Sequence, residues 1–264
     1  MQINPTKRLL TEDPVIYGSP KKPNLFQQTV EIQNPETPAP PIRKRNWSSH
    51  CVGFILSKTC AIEKITFSDG IYEGEVDENK TPKGQGRLVK QTGEIFEGVF
   101  DGNSFLEGIY RNPHSNTEYN GSFKNYKFHG FGKMTVSGIF EFEGNFYLGF
   151  LHGKGRLCFS SGLIIDSHFY HFKINGTSTI KLPNKTILEG NIKAIINIKS
   201  KCLIYTEVFT GTILYPNGNV YKGPIYKQIP DGKGKLYSKA MNWWQNVTFQ
   251  NGKLISSIPV LRDI

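Results

Sequence analysis

Residues 119–144 read "YNGSFKNYKFHGFGKMTVSGIFEFEG", a stretch that begins and ends on an aromatic, one residue, then glycine. Between those triplets stands a second glycine pair, Gly130 and Gly132, followed by Lys133. Three chemistries leave such a trace: a phosphate-cradling loop, a metal site around His129, or one rung of a repeat. Spacing decides among them. The triplets fall at Tyr72-Glu73-Gly74, Phe96-Glu97-Gly98, Tyr119-Asn120-Gly121 and Phe142-Glu143-Gly144, then at a degraded Ile165-Asp166-Ser167, Leu188-Glu189-Gly190 and Tyr221-Lys222-Gly223. Successive steps are 24, 23, 23, 23 and 23 residues, and only the last, 33, breaks the period. Such a period marks a linear array whose units cannot each bury their own apolar face.

Turn signals recur inside the units: "SDG" at 68, "QTG" at 91, "VSG" at 136, "SSG" at 160 and "PNG" at 216. Strand-like residues on both sides make them hairpin turns. A register follows. Leu88 and Phe96, Met134 and Phe142, Leu157 and Ile165, Ile180 and Leu188, Ile213 and Tyr221, and Leu236 and Trp244 all stand eight apart. If those pairs face each other, so do residues twelve apart: Gly86 and Gly98, Gly132 and Gly144, Gly211 and Gly223. Alternation puts these glycines on the apolar face, where an aromatic of a neighbouring rung can lie over them. Residues ten apart meet on the other face: Arg87 with Glu97, Lys133 with Glu143, Arg156 with Asp166. Opposed unlike charges contribute about 0.2–1 kcal/mol each, so the column Arg87, Lys133, Arg156 and Lys235 is mostly neutralised rather than a phosphate stripe.

The aromatic-Glu-Gly triplet with a glycine pair about eleven residues on, preceded by His129 or His152 in two units, resembles the MORN repeat over residues 62–252. The resemblance implies an all-β fold, an elongated, twisted antiparallel sheet of successive hairpins with about sixteen strands and on the order of 75 Å long. Its structural repeat core is then Tyr72, Gly74, Phe96, Gly98, Tyr119, Gly121, Phe142, Gly144, Leu188, Gly190, Tyr221 and Gly223. Departures are local. Phe105 to Gly108 replaces the usual His-Gly-x-Gly, and the turn near Pro113 is one residue long. Residues 191–210, "NIKAIINIKSKCLIYTEVFT", are about ten too many for the period, which makes them an irregular hairpin or loop and a candidate docking feature.

Three parts follow: residues 1–50, a proline-rich basic extended tail; 51–252, the array with its insertion at 191–210; and 253–264, a C-terminal cap or docking strand. The tail holds most of the prolines, and its cations Lys7, Arg8, Lys21, Lys22, Arg43, Lys44 and Arg45 alternate with short apolar spots. These are the candidate partner-binding residues; proline fixes extended geometry in which such a segment can lie across a partner. In the last part Leu254, Ile255, Ile258, Val260 and Leu261 are too apolar for a free tail.

The catalytic and metal readings fail on context. No GxxxxGK[ST] occurs, and each Gly-x-Gly-Lys/Arg is followed by a strand pattern where a phosphate loop needs a helix. His168 and His171 sit on opposite faces of a strand, and His129 and His152 recur as turn residues in step with the array. No serine or cysteine has a nucleophile context, and Glu73, Glu97, Glu143 and Glu189, one per rung, offer no acid–base pair in a cleft. The expectation is no enzyme, no cofactor and no metal. Cys51, Cys60, Cys158 and Cys202 lack CxxC spacing and read as free thiols in a reducing compartment. The start has no apolar run of a secretory leader, and no stretch nears 18 uncharged apolar residues.

The formal net charge of +10 points to an acidic partner. The resemblance implies a non-catalytic scaffold, a strut docking other proteins in a cytoskeletal assembly such as a ciliary or flagellar axoneme with its radial spokes, and hence a cytoplasmic, axonemal home. The alternative is a peripheral membrane adaptor that binds acidic phospholipids through basic residues; Lys193, Lys199 and Lys201 are its uncompensated cations on the array. Nucleic acid is disfavoured, because the register sends the aromatics to the core and leaves few stacking platforms.

Overall fold

A computed structural model describes residues 61–260, and the candidate tail residues Lys7, Arg8, Lys21, Lys22, Arg43, Lys44 and Arg45 lie outside them. The described residues form one antiparallel sheet of nineteen strands. In chain order these are β1 (Ala61–Phe67), β2 (Gly70–Val76), β3 (Pro82–Lys90), β4 (Ile95–Asp101), β5 (Ser104–Asn112), β6 (Thr117–Lys124), β7 (Lys127–Val136), β8 (Phe140–Tyr147), β9 (Phe150–Phe159) and β10 (Ile164–Tyr170). There follow β11 (Lys173–Lys181), β12 (Ile187–Asn197), β13 (Cys202–Tyr205), β14 (Phe209–Leu214), β15 (Val220–Tyr226), β16 (Ile229–Pro230), β17 (Gly232–Ser238), β18 (Trp243–Gln250) and β19 (Lys253–Pro259). Strands alternate apolar-in and polar-out because their sequences do: in β8, "FEFEGNFY", Phe140, Phe142 and Phe146 are buried while Glu143, Asn145 and Tyr147 are exposed.

The eight-residue register holds at Leu88–Phe96, Met134–Phe142, Leu157–Ile165, Ile180–Leu188 and Ile213–Tyr221. The twelve-residue glycine pairs Gly86–Gly98, Gly132–Gly144 and Gly211–Gly223 face each other as well. Leu236 and Trp244 do not: Trp244 faces Tyr237, and Leu236 faces Gln245. Four residues separate the last pair there, Ser238 and Trp243, whereas three or five separate the last pairs of the five hairpins that keep the register, so the pairing slips by one residue. Trp243 is accordingly exposed, and Val247 is the one fully buried residue of β18.

Two rows make the core. The triplet residues Tyr72, Phe96, Tyr119, Phe142, Ile165, Leu188 and Tyr221 are buried. Four residues after each comes a second buried row, Val76, Phe100, Phe123, Phe146, Phe169, Ile192 and Ile225, whose rings pack edge-on against those of the first. Tyr119 meets Phe123 at 5.1 Å and 89°, and Phe142 meets Phe146 at 5.2 Å and 89°. Such pairs contribute about 0.5–1.5 kcal/mol beyond the area they bury. Facing strands add Phe105, Phe128, Leu151 and Ile174 across the short turns.

The two glycines of each pair do different work. A Cβ on the second one, Gly132 or Gly155, would collide with the ring of Tyr119 or Phe142 lying over it. The first one, Gly130 or Gly153, has φ of 67° or 64° and sits in a bulge that shifts the pairing by two residues. Each tyrosine over a glycine also donates its hydroxyl to a carbonyl three residues on: Tyr72 to Glu75 at 2.7 Å, Tyr119 to Ser122 at 3.0 Å, Tyr221 to Pro224 at 3.1 Å.

The insertion forms an extra hairpin rather than a break. The first half of β12 pairs with β14 and its second half with β13 along the same edge. Ala194, Ile196, Leu203 and Tyr205 point inward and join the core. At the tip, Lys201 Nζ donates to Gly138 O at 3.0 Å and lies 2.9 Å from Ser160 Oγ, on the turns after β7 and β9.

Phe142→Ala removes a fully buried ring and is expected to cost about 3–5 kcal/mol, whereas Arg87→Ala on the outer face stays within about 0.5 kcal/mol; thermal melts compare them, and equal losses would contradict the face assignment. Alkali tests the buried phenols. Burial first, then Glu75, pushes Tyr72 from 10.0 up to about 12, burial, Tyr215 and Asp231 push Tyr221 to about 12, and burial pushes Tyr119 higher still. A phenol that holds its proton more tightly when folded stabilises fully below the unfolded value and loses that contribution as pH climbs through the folded one. The melting temperature is therefore expected to fall between pH about 10 and about 12, with tyrosinate absorbance rising at the same pH.

Candidate interaction surface

Core packing leaves the other face of the sheet to solvent, and that face has two unlike halves. The half nearer the turns after β3, β5, β7 and β9 carries matched charges. Arg156 and Asp166 form a bidentate pair, with Nε–Oδ1 at 2.6 Å and Nη2–Oδ2 at 2.9 Å, as the ten-residue spacing implies. Two other pairs differ from that expectation. Lys133 takes Glu141 at 2.9 Å instead of Glu143, and the Glu97 carboxylate goes to Arg111 at 3.0 Å, which also holds Glu118. Cross-strand register sets which Cα atoms are opposite; a long side chain still reaches a diagonal partner two residues away.

The half nearer the short turns after β6, β8 and β10 is different. Segments 122–131, 145–154, 168–177 and 191–204 contain no Asp or Glu. They hold the exposed Lys124, Lys127, Lys154, Lys173 and Lys193, of which Lys193 pairs with Glu207 of the following loop at 2.8 Å. Lys193 is thus compensated, contrary to expectation, whereas Lys201 is held only by the neutral Gly138 carbonyl and Ser160 hydroxyl.

Between the lysines runs a row of rings and aliphatics. Register places His152 opposite Tyr170, Tyr170 opposite Lys173, Lys173 opposite Ile195, and Ile195 opposite Ile204. Tyr147 continues it, its ring 5.5 Å from His129 and 5.6 Å from His152. Tyr170 stacks on His171 at 4.6 Å, and His171 on Phe150 at 4.2 Å. Tyr147, Tyr170 and Phe131 are 53%, 57% and 50% exposed. From β7 to β13 the row crosses seven strands, about 30 Å at the usual strand spacing. The aromatics therefore do not all go to the core. The column five residues after the triplet's first residue reads Asp77, Asp101, Lys124, Tyr147, Tyr170, Lys193 and Tyr226, and its alternation to the outer face was legible from the period.

The histidines are strand residues, not turn residues: His129 lies in β7 and His152 in β9, each shortly after a short turn. Burial, then Lys124, lowers the pKa of His129, and its Nδ1 is buried without a hydrogen-bond partner. His168 is exposed on β10, and His171 turns the chain with φ of 56°. Among the described residues no group of three His, Cys, Asp or Glu could hold a metal ion. Burial, its largest influence, pushes the Cys158 thiol above its ordinary value even with Arg156 nearby, which gives it no thiolate character. A cavity of about 210 Å³ lies between Tyr72, Leu88, Phe100 and Tyr126. Its one cation, Lys90, is paired with Asp69 at 3.1 Å and covered by the Tyr126 ring at 5.1 Å. No helix of the described residues is long and apolar enough to cross a membrane.

Fold and surface define a β-hairpin repeat protein with its chemistry on an open sheet face. The family description "MORN repeat" matches residues 119–137 and 142–164, so the chain carries MORN repeats there. Among solved structures it is similar to the TCP10 domain of Danio rerio CPAP in complex with a peptide of STIL, at 15% identity and TM-score 0.31, covering 76% of this chain and 100% of that one. It is also similar to the SAS-4 (dCPAP) TCP domain of Drosophila melanogaster in complex with a proline-rich motif of Ana2 (dSTIL), at 13% identity and TM-score 0.27, covering 75% and 99%. No curated protein sequence matches it.

Lys201→Ala removes the hairpin's grip on two turns. Amide exchange over residues 194–205 is expected to speed by about tenfold while exchange in β8 stays unchanged, since one surface hydrogen bond to charge contributes about 1.5 kcal/mol; unchanged exchange at 194–205 would show the tip contact is passive.

Proposed function

We propose that this chain is a non-catalytic scaffold that docks other proteins through its open sheet face, within a cytoskeletal assembly of the ciliary or flagellar axoneme type. The observation that carries this reading is the exposed row from Tyr147 through Tyr170 to Ile195 and Ile204. Solvent-facing rings and aliphatics in one line across several strands are what a protein partner covers. A ring-packed repeat core holds that line rigid, so little ordering entropy is spent on docking. The tail cations Lys7, Arg8, Lys21, Lys22, Arg43, Lys44 and Arg45 give a second attachment through charge. β19 serves as a docking strand within 253–264: every residue of it is exposed, Leu254, Ile255 and Ile258 included.

The membrane-adaptor reading draws on the same lysines. Against it, the exposed carboxylates Glu118, Glu143 and Glu189 share the face and would meet a flat anionic bilayer together with them. Proximity labelling of the tagged full chain in its source cell, with fractionation, tests the scaffold reading. Expected is retention in the detergent-insoluble cytoskeletal fraction and labelling of axonemal or other cytoskeletal proteins; recovery with detergent-soluble membrane and labelling of membrane proteins would overturn it.

A further inference from the structure

Each position of a repeat occurs several times in the same fold, so the repeats are controls for one another. The column that holds Tyr147 and Tyr170 holds Lys124 one unit earlier and Lys193 one unit later, in strands of the same sheet. The fold therefore accepts a solvated lysine there, and packing does not require the two tyrosines. Likewise the position after the short turn is Lys127, then Phe150, then Lys173. Rings occupy the middle of the row, lysines its flanks, and acids are missing from all four segments that build it.

We infer that this row is a docking site for one kind of partner: an extended, acidic segment of another protein that runs across the strands from β6 to β13. Its apolar side chains lie against Tyr147, Tyr170 and the Ile195–Ile204 pair, and its carboxylates meet Lys124, Lys127, Lys154 and Lys173. This rests on the scaffold reading and adds the chemistry of the partner.

Charge complementarity selects the occupant. The chain's own first sixty residues carry eight Lys or Arg against four Asp or Glu, the same sign as the row, so they are repelled by it. Ring geometry argues against nucleobases. Tyr147 is flanked by His129 and His152, and one face of Tyr170 is stacked on His171, so the free ring faces that successive bases need are partly taken. The aliphatic end, Ile195 and Ile204, suits a protein side chain and offers a base or phosphate nothing. A line one residue wide, bordered by the carboxylate-bearing half of the same face, matches a single extended chain better than a bilayer plane.

The test is selection without a presumed partner. A phage-displayed random peptide library is panned on the full-length chain at low salt, and enriched peptides are then measured against Tyr147→Ala/Tyr170→Ala and Lys127→Glu/Lys154→Glu/Lys173→Glu chains. All five side chains are exposed or lie on the outer face, and unchanged melting temperatures verify that the variants fold. Expected are peptides with net negative charge and interspersed apolar residues, whose binding weakens at least tenfold in each variant and with added salt. Absence of enrichment, peptides that are neutral or basic, or binding indifferent to both variants would overturn the inference. So would phosphatidylserine vesicles or single-stranded oligodeoxythymidine binding the wild type tightly and losing that binding in the variants, which would assign the row to lipid or nucleic acid. If proximity labelling finds cytoskeletal partners that the variants retain, the scaffold reading stands and this site falls.

Discussion

The structure depends on a ring laid over a bare glycine of the next strand. Tyr72 covers Gly86, Tyr119 covers Gly132, Phe142 covers Gly155, and Tyr221 covers Gly234, where an added Cβ would sit 2.7 Å from the ring. The exceptions follow the same constraint. Leu188 is no ring, yet Gly190 and Gly211 persist, because Phe209 of β14 supplies one, 3.0 Å from a Cβ at either position. Ile165 is no ring and none replaces it; there the glycines give way to Ser167 and Ser178, whose hydroxyls satisfy each other at 2.7 Å in the buried slot. Ring and glycine occur together or are lost together. A steric contact of this kind fixes register, since a slip of one residue would put a side chain under every ring.

A fixed register then decides the outer face. Alternation leaves no choice about which residues reach solvent, so each repeat column becomes a straight line of outward positions. Near one set of turns those lines carry Arg156 and Asp166, Lys133 and Glu141, Arg111 between Glu97 and Glu118. Exposed pairs of that sort contribute little to stability; their effect is to neutralise that half. From β6 to β13 the acids stop beyond the bulges, and positive charge is left there beside the exposed rings.

How far the sequence could be read follows from which interactions are local to the period. Triplet spacing and turn signals gave the pairing of β3 with β4, β7 with β8, β9 with β10, β11 with β12 and β14 with β15, since each is one hairpin. The second buried row was equally periodic, in Phe100 and Phe105 or Phe123 and Phe128, five apart around a short turn, but the triplet drew the reading away from it. Three things were beyond reach. Ion-pair choice between Glu141 and Glu143 depends on side-chain reach, not on Cα register. The slip at Trp244 comes from a loop of four residues, whose parity only the finished turn reveals. The insertion's role depends on a contact 63 residues away, between Lys201 and Gly138.

That last contact changes what the insertion means. An unpaired loop at 191–210 would interrupt the array and let the rungs on either side twist apart. Instead β12 pairs with β14 over residues 187–190 and with β13 over 194–197, while its other edge stays paired with β11 across the irregularity. The inner residues of the hairpin extend the core, and its outer pair, Ile195 and Ile204, extends the exposed row by two strands. One insertion thus lengthens both faces at once: the alternation that forces Ile196 and Leu203 inward also forces Ile195 and Ile204 out. Burial of the first pair accounts for the strand; nothing in the fold accounts for the second pair being isoleucine where lysine or threonine would be better solvated.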